Sequence, residues 1–354
     1  MAKSLTLIIE EDIKKILGQE LPWEKLKGSC VVISGASGFL PAYITETLIA
    51  LNKRDYGIRI IGLVRNLEKA KLRFQVPEAL GLELLEQDIT RELRSDLPKP
   101  DFVIHAASQA SPKYYSIDPV GTIDANTIGT RNLLEYARIH HCKSFLFFSS
   151  GEVYGTHLND ITVCDEQQFG YIDPTSIRAC YGESKRLGEA MCVAWQHQFG
   201  LPTLIVRPFH TYGPGFALDD GRVFADFVSN IIEMRNILLK SNGLTRRSFC
   251  YIADATIGFF TVLLLGKAGE AYNIANPSSE ISILDLARLL TRMFPERGLD
   301  VEFRTLGKLK KYTESQGGQI TPSIEKIKQL GWEPMTPLET GFRRTVEHFE
   351  MAVL

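Results

Sequence analysis

A tyrosine and a lysine four residues apart, Tyr181 and Lys185, are well suited by type and spacing to proton transfer. Positions four apart share one face of a helix, so both side chains would point into the same cleft. An ammonium group beside a phenol stabilises the phenolate and lowers the tyrosine pKa from about 10 towards neutrality. The spacing therefore predicts an acid–base pair that acts on a substrate hydroxyl.

A second hydroxyl that could bind the same substrate oxygen is that of Ser150, which lies earlier in the chain. It follows the apolar run Phe145 to Phe148 in the segment Ser149-Ser150-Gly151-Glu152-Val153-Tyr154-Gly155. Open α/β sheets bind ligands at the carboxyl ends of their strands. We expect Ser150 to share the hydrogen bonding of the substrate oxygen with Tyr181.

A glycine-containing turn, Ser34-Gly35-Ala36-Ser37-Gly38-Phe39-Leu40-Pro41, stands between an apolar run and a helical stretch. Glycine lets the backbone approach a pyrophosphate, and the N–H groups at the start of a helix supply donors and a positive dipole end. Pro41 stands where a third glycine would let the helix pack closely on the strand. Proline is tolerated in a first helical turn, so the phosphate site should survive.

The end of the second apolar run bears on which dinucleotide would bind. It reads Gly62-Leu63-Val64-Arg65-Asn66, without the acidic residue that often holds the ribose hydroxyls of NAD. Arg65 could pair with the 2′-phosphate of NADP. The pattern favours NADP(H), and NAD(H) remains possible.

Apolar runs that are typical of strands alternate with helical stretches through the first part of the chain. The runs are Cys30 to Ile33, Arg59 to Val64, Leu82 to Leu85, Phe102 to His105, Phe145 to Ser149 and Thr203 to Val206, and the helical stretches include Tyr43 to Leu51, Ala125 to His140 and Glu183 to Phe199. Parallel strands need such crossovers, so we predict an α/β fold with a Rossmann-type doubly wound parallel sheet.

A smaller, C-terminal substrate-binding lobe should follow, because the regular alternation ends after Arg207. We expect residues 1–27 to form a helical extension, and residues 28–206, with about 245–275, to form the dinucleotide-binding domain. Residues 207–244 and 276–354 would then form the lobe that binds the substrate.

Composition narrows the class of protein further. A net charge of −2 over 354 residues gives no electrostatic footprint for nucleic acid. The six cysteines have no spacing that suits zinc, so we expect reduced thiols, no metal and a cytoplasmic protein. No apolar stretch reaches the roughly 20 residues of a membrane span, and the N-terminus lacks a secretory signal pattern.

Taken together, the motifs resemble the extended short-chain dehydrogenase/reductase family in its nucleotide-sugar epimerase/dehydratase branch, over about residues 29–340. Beyond the turn, Ser150 and the Tyr-Lys pair, the resemblance rests on Asp88-Ile89, His105-Ala106-Ala107-Ser108, Asn126 with Gly129-Thr130, Arg207-Pro208-Phe209-His210-Thr211-Tyr212-Gly213-Pro214-Gly215, Arg247 to Asp254 and Tyr272 to Asn276. It implies an NAD(P)-dependent enzyme with a nucleotide-sugar substrate.

The resemblance also implies roles for particular positions. Ser150, Tyr181 and Lys185 would be the catalytic triad, with Glu152 beside it and with Lys185 also on the nicotinamide ribose. The cofactor side would comprise Gly35, Ser37, Gly38, Phe39, Leu40, Arg65, Asp88, Ile89, Ala106, Ala107, Asn126 and Pro208, and the substrate side Ser108, His210 and Arg247. His210 departs from the family, which usually has asparagine there in contact with the substrate phosphates.

The residues after Ser150 bear on which reaction of the family is catalysed. In 4,6-dehydratases the pair resembles Asp-Glu, in nucleotide-sugar decarboxylases it resembles Ser-Glu, and 4-epimerases need no acid at either position. Here the pair is Gly151-Glu152, so an acid is missing. Together with Arg65, this makes a reductase of a nucleotide-linked 4-keto-6-deoxyhexose, such as dTDP-4-dehydro-6-deoxyglucose in surface-polysaccharide synthesis, the favoured hypothesis.

Decarboxylase, 4-epimerase and 4,6-dehydratase remain alternatives, as does a nucleotide-binding regulator without turnover, against which the intact triad argues. Members of the family often pair through two helices into a four-helix bundle. Residues Ala125 to His140 and Glu183 to Phe199 are candidates for that interface, so we expect a homodimer.

Overall fold

The computed structural model describes residues 7–74, 80–157, 163–303 and 320–353. The strands are β1 Cys30–Ser34, β2 Arg59–Val64, β3 Leu82–Glu86, β4 Phe102–His105, β5 Ser144–Phe148, β6 Val163–Cys164, β7 Thr203–Pro208, β8 His210–Tyr212, β9 Ile237–Leu239, β10 Arg246–Tyr251, β11 Ala271–Ile274, β12 Glu280–Ser282, β13 Val301–Phe303 and β14 Thr321–Pro322. The helices are α1 Leu7–Leu17, α2 Phe39–Asn52, α3 Leu67–Arg73, α4 Pro112–Ile117, α5 Pro119–Asn126, α6 Ile128–Ile139, α7 Ala179–Phe199, α8 Val223–Ile232, α9 Ile252–Leu265, α10 Ile283–Met293, α11 Glu325–Lys328 and α12 Leu338–Val353.

A seven-stranded parallel sheet forms the centre of the molecule, in the order β11-β7-β5-β4-β1-β2-β3. Strands β1, β4 and β5 are buried along their whole length, which explains their continuous apolar runs. The strand order reverses between β1 and β4, the crevice where such sheets bind dinucleotides. The predicted Rossmann-type fold is confirmed.

Helices cover both faces of the sheet. Val31 and Ile33 of β1 contribute to one core cluster, which also contains residues of α2 and α9. Val32 between them contributes to a second cluster, with residues of α6 and α7. The alternation of side chains along β1 thus places α2 on one face of the sheet and the candidate catalytic helix α7 on the other.

Smaller sheets lie in the second half of the chain. Strand β10 pairs antiparallel with β12 and parallel with β8. Strand β8 follows directly on β7, so the second sheet begins where the central sheet ends. After β10, α9 and β11 return to the central sheet, and α10 and α12 follow beyond it.

Two helices differ from their predicted bounds. The single helix predicted from Ala125 to His140 is divided into α5 and α6 at Thr127, whose hydroxyl donates to the carbonyl oxygen of Ile123. Such back-bonding by threonine bends helices. Helix α7 begins at Ala179, four residues before its predicted start, and therefore includes Tyr181.

The predicted N-terminal helix starts outside the described residues, and its described part is α1. Trp23 packs edge-on against Phe260 of α9, with ring centroids 5.0 Å apart. Among the helices that the structure describes, none combines the length and the apolar character that a membrane crossing requires.

Candidate active site

The carboxyl edge of the central sheet brings together most of the predicted site residues. The glycine turn follows β1, Arg65 follows β2, Asp88 and Ile89 follow β3, Ala106, Ala107 and Ser108 follow β4, Ser150 and Glu152 follow β5, and Pro208 ends β7. His210 begins β8 and Arg247 lies in β10. Tyr181 and Lys185 reach this edge from α7, and Asn126 ends α5.

The turn after β1 has the geometry of a phosphate cradle. Gly35 has φ +69°, and a Cβ atom there would lie 2.9 Å from the Cα atom of Ala107. Gly38 is the N-cap of α2, so the N–H groups of Phe39 and Leu40 have no intrahelical acceptor. The open cradle and these donors fit the pyrophosphate of a dinucleotide.

A hydrogen-bond chain fixes the strands beneath this turn. Ser34 Oγ accepts from the Ala107 N–H and donates to Nδ1 of His105 at 2.8 Å. Thr130 Oγ1 donates to the carbonyl oxygen of Asn126, so it accepts from Nε2 of His105 at 2.9 Å. Burial, with the nearby charge of Lys185, lowers the pKa of His105 to about 3, which keeps the ring neutral.

Asn126 continues this chain of hydrogen bonds to the catalytic helix α7. Its Nδ2 atom donates to Ser184 Oγ at 3.0 Å, and Ser184 Oγ donates to the carbonyl oxygen of Cys180. The Oδ1 atom of Asn126 is buried and has no hydrogen-bond partner among the described residues. Asn126 therefore ties α5 to the first turns of α7, where Tyr181 lies.

Tyr181 and Ser150 meet as predicted, since the Ser150 hydroxyl is hydrogen-bonded to the phenol. The expected effect of Lys185 on the phenol is not seen. Burial raises the pKa of Tyr181 to about 12. The Nζ atom of Lys185 lies 5.8 Å from the centroid of the Tyr181 ring and donates at 2.6 Å to the carbonyl oxygen of Phe148.

Lys185 is itself buried, with 2% of its surface exposed. Burial lowers its pKa to about 7, although the carboxylate of Glu189 acts in the opposite direction. The lysine thus titrates near neutral pH, and both groups of the pair are perturbed by removal from water.

Arg65 is exposed at the end of β2, near two carboxylates. Burial acts to raise the pKa of Asp88, but hydrogen bonds from Thr90 and the charge of Arg65 hold it below its usual value. A hydrogen bond from Gln109, then the Gly121 N–H and the charge of Arg65, lower the pKa of Asp118. The arginine therefore stands among negative charges that would repel a 2′-phosphate.

Gly151 has no room for a side chain. A Cβ atom there would lie 2.8 Å from the ring of Phe209. In the 4,6-dehydratases that the motifs resemble, the residue at this position is an acid. Here the ring of Phe209 fills the space that its side chain would need. Glu152 is exposed, and its carboxylate lies 3.7 Å from the guanidinium of Arg178.

Three arginines lie near the triad: Arg178 and Arg247 act on Glu152 or its neighbours, and Arg222 acts on Tyr181 and His210. We call Arg178, Arg222 and Arg247 the arginine cluster. Burial lowers the pKa of Arg247, with Glu152 acting against it and Arg178 adding to it. Burial also lowers the pKa of His210 well below its usual value, and Arg247 and Arg222 lower it further. His210 is therefore a neutral imidazole, and its buried Nδ1 atom has no hydrogen-bond partner among the described residues.

The arginine cluster suits an anionic ligand, because it brings three guanidinium groups together near the triad, with Arg222 paired to Asp220 and Arg178 lying 3.7 Å from the carboxylate of Glu152. Sequence reasoning found Arg247 but missed Arg178, Arg222 and Tyr115, whose ring lies against Tyr181. Arg178 is the N-cap of α7 and could have been found by its nearness to Tyr181 in sequence. No such signal in the sequence pointed to Arg222 or Tyr115, because only the tertiary packing of the chain brings them close to Tyr181.

The six cysteines are buried thiols. Burial raises the pKa of Cys30 to about 11 and that of Cys142 to about 12, so neither is a thiolate at neutral pH. Within the described ranges, no three His, Cys, Asp or Glu side chains are grouped in a way that could hold a metal ion.

Comparisons with known proteins identify the family of the chain. A sequence profile described as the NAD dependent epimerase/dehydratase family matches residues 31–275. UDP-glucuronic acid decarboxylase 1 of Xenopus tropicalis is 31% identical over 323 residues, which are 90% of this chain and 72% of that protein. UDP-glucuronic acid decarboxylase 3 of Arabidopsis thaliana is also 31% identical, over 91% of this chain and 89% of that protein.

The fold is shared with a solved UDP-glucose 4-epimerase from Thermotoga maritima in complex with UDP-glucose. The TM-score is 0.77 and the identity 22%, over 92% of this chain and 100% of the other. The profile match covers more than half of the chain, and the family resemblance inferred from the motifs is confirmed. The chain belongs to the NAD-dependent epimerase/dehydratase family and is a nucleotide-sugar enzyme of the short-chain dehydrogenase/reductase type.

Proposed function

We propose that this enzyme decarboxylates a UDP-linked hexuronate, such as UDP-glucuronate, through a ketone formed at C4 of the sugar. The observation that carries the proposal is the position of Glu152, which lies 3.7 Å from the guanidinium of Arg178 and close enough to Arg247 and Tyr181 for its charge to influence their pKa values. Guanidinium groups pair well with a sugar carboxylate and with a diphosphate. The similarity to two UDP-glucuronic acid decarboxylases supports the same substrate class.

NAD is the cofactor that the site fits better. When bound, NAD⁺ supplies a hydride acceptor for C4 and a positive charge beside the phenol. The carboxylates of Asp88 and Asp118 near Arg65 weigh against a 2′-phosphate. The 4-keto-6-deoxyhexose reductase favoured from Arg65 and Gly151 therefore has no support from this geometry, and the similar proteins named above are decarboxylases and an epimerase.

The proposed reaction needs no added oxidant. Tyr181 takes the proton of the C4 hydroxyl as the hydride leaves C4, which becomes a ketone. The C5–C6 bond then breaks, CO₂ leaves, and its electron pair forms an enolate across C5 and C4. C5 is protonated, the hydride returns to C4, and Tyr181 gives its proton back to the oxygen, which yields a UDP-pentose.

The charged residues divide this work. Arg178 and Arg247 bind the anionic groups of the substrate, and His210, as a neutral imidazole, can donate a hydrogen bond to a phosphate oxygen. Ser150 holds the C4 oxygen together with Tyr181. We assign the protonation of C5 to Glu152, the exposed carboxylate beside the triad, which would take a proton from solvent once the substrate carboxylate engages Arg178 and then pass it to C5.

Product analysis tests the proposal directly. The purified enzyme is incubated with NAD and UDP-glucuronate labelled with ¹³C at C6, and the products are followed by NMR. We expect labelled CO₂ or bicarbonate and an unlabelled UDP-pentose. Formation of UDP-galacturonate with the label retained would show that the enzyme is a 4-epimerase and not a decarboxylase. An unchanged substrate would show that UDP-glucuronate is not the substrate.

Glu152→Gln should slow product formation at least about 100-fold, the lower end of what general acid–base catalysis contributes. NAD binding should remain unchanged, because Glu152 lies outside the glycine turn. Glu183→Gln is the matched control, since Glu183 pairs with Arg186 on α7. Equal rates of product formation by the two variants would show that Glu152 has no role in the reaction.

We also propose that the enzyme is a homodimer that pairs through α6 and α7. These helices expose Ile128, Ile139, Leu187 and Val193, each with at least 44% of its surface accessible in the single chain. Light scattering after size exclusion should give twice the chain mass, and Leu187→Glu should yield monomers. A monomeric wild-type enzyme at micromolar concentration would reject the dimer.

A further inference from the structure

Tyr115, on the short helix α4, packs its ring face against the ring of Tyr181. The ring centroids are 4.9 Å apart and the ring planes differ by 19°. Both residues are buried, with 7% and 6% of their surfaces exposed, and together with Cys180 they form a small apolar cluster separate from the main cores. The phenol that carries the chemistry is therefore held between Tyr115 and its own helix.

Stacking of this kind has two physical consequences for Tyr181. An aromatic pair contributes about 0.5–1.5 kcal/mol beyond the area that it buries, which restricts rotation of the ring. The covering ring also keeps water from the phenol, and burial is the largest cause of the raised pKa of Tyr181. Orientation and acidity of the phenol both depend on this neighbour.

Helix α4 is anchored to a loop from the other part of the chain. Ser111 caps α4 and its hydroxyl donates to the carbonyl oxygen of Asp220 at 2.5 Å. Lys113 lies 3.3 Å from the carboxylate of Asp219. The side chain of Asp220 accepts from Nε of Arg222 at 2.8 Å, and the charge of Arg222 acts on both Tyr115 and Tyr181.

We propose that Tyr115 is a positioning residue, which sets the orientation of Tyr181 towards Ser150 and its exclusion from water. The proposal rests on the catalytic role proposed for Tyr181. Substrate need not touch Tyr115 for this role, since the effect passes through the ring contact. The anchoring of α4 at Asp220 makes the positioning depend on contact between α4 and the 219–222 loop.

The test places 3-fluorotyrosine at position 181 and follows its ¹⁹F resonance against pH in the wild-type background, in Tyr115→Phe and in Tyr115→Leu. Fluorine lowers the intrinsic phenol pKa, so the titration falls in an accessible range. Tyr115→Phe keeps the stack and should keep the titration midpoint. Tyr115→Leu should lower the midpoint by about one pH unit, as expected when a buried phenol regains water, and shift the resonance by loss of the ring current.

Tyr114→Leu is the matched control, because Tyr114 is on the same helix but is 43% exposed. It should leave the ¹⁹F midpoint and shift unchanged. Identical titrations of Tyr181 in Tyr115→Leu and wild type, or the same change in Tyr114→Leu as in Tyr115→Leu, would overturn the proposal. The NMR readout needs no substrate, so it is independent of whether UDP-glucuronate is turned over.

With UDP-glucuronate and NAD, Tyr115→Leu should lower kcat by about tenfold or more and change KM by less than about threefold, since a misaligned acid costs mainly the chemical step. Tyr115→Phe should restore most of kcat. A loss confined to KM would assign Tyr115 to substrate binding and overturn the positioning role.

Discussion

Burial is the main cause of the shifted pKa of both groups of the acid–base pair. Tyr181 keeps its proton with a pKa of about 12, while Lys185 titrates at about 7. The protonated phenol is ready to donate to a ketone, whereas removal of a proton from the C4 hydroxyl requires the phenolate. The positive charge that NAD⁺ would bring beside the phenol favours the phenolate, so binding of the cofactor would prepare the oxidative step.

The buried lysine has a measurable effect on stability. Its folded pKa of about 7 lies below the usual 10.5, so the unfolded chain binds the proton more tightly. Folding releases that proton between pH 7 and 10.5, and stability from this group rises with pH in that window, by at most about 1.4 kcal/mol per pH unit. Below pH 7 the cost of burying the charge is present in full.

Lys185→Met should therefore remove a pH-dependent cost. We expect the free energy of unfolding of wild type, relative to Lys185→Met, to rise between pH 7 and pH 10, as measured by urea denaturation. The comparison cancels the titrations of tyrosines and cysteines that both proteins share. A flat difference across this range would show that Lys185 is not desolvated in the fold.

Among the elements, the β1–α2 turn is the one whose backbone shape matters most for cofactor binding. Gly35→Ala should raise the Kd for NAD at least about tenfold and cost about 1–2 kcal/mol of stability, because the methyl group would meet the backbone of Ala107 at a positive φ. Isothermal titration measures the first effect and urea denaturation the second.

Gly57→Ala provides the control for backbone strain. Gly57 has φ +63°, and a Cβ atom there would meet nothing within 4 Å. This variant should lose a similar amount of stability and bind NAD normally. If both variants bind NAD as wild type does, the turn is not the pyrophosphate site.

Strands were predictable at this scale and helix boundaries less so. The runs Arg59 to Val64 and Phe102 to His105 match β2 and β4 residue for residue, because the buried parts of both strands consist largely of apolar residues. The bend at Thr127 depends on one side-chain hydrogen bond, and the contact of Lys185 with the Phe148 carbonyl oxygen depends on how α7 meets β5. The hydrophobic periodicity of the sequence indicates neither the bend nor this contact.

Across the whole molecule, α1 joins parts of the chain that are distant in sequence. Asp12 accepts hydrogen bonds from Tyr43 of α2, Tyr251 of β10 and Arg344 of α12. Lys15 of the same helix donates to Asp254 and Thr336. Helix α1 thus connects the dinucleotide-binding side of the protein with the C-terminal helix, a role that its sequence did not indicate.

Asp12→Asn should lower the free energy of unfolding by about 2–4 kcal/mol, because it leaves Arg344 without its buried carboxylate and places an amide N–H against a donor. Urea denaturation measures the loss. Glu10→Gln, an exposed change on the same helix, should alter stability by less than about 0.5 kcal/mol. Equal stability of Asp12→Asn and wild type would mean that α1 does not hold these parts together.

The site residues at the strand ends could be predicted from motifs, because the carboxyl ends of parallel strands lie along one edge of the sheet, independently of the loop conformations. The cationic character of the cleft could not, because Arg178, Arg222 and Arg247 come from a helix cap, a loop and a second sheet. That cluster is what moves the proposed substrate from a 4-keto-6-deoxyhexose to a hexuronate. The three arginines come together only in the folded chain, so no local sequence pattern indicates the cluster.

The central claim is that a hydride leaves C4 of the sugar and returns to it, with Tyr181 moving the accompanying proton. The most direct measurement uses UDP-glucuronate with deuterium at C4 and follows the label in the product by mass spectrometry. We expect a UDP-pentose that retains the deuterium at C4, and no product from Tyr181→Phe, although that variant should still bind NAD. Loss of the deuterium to solvent, or undiminished turnover by Tyr181→Phe, would contradict it.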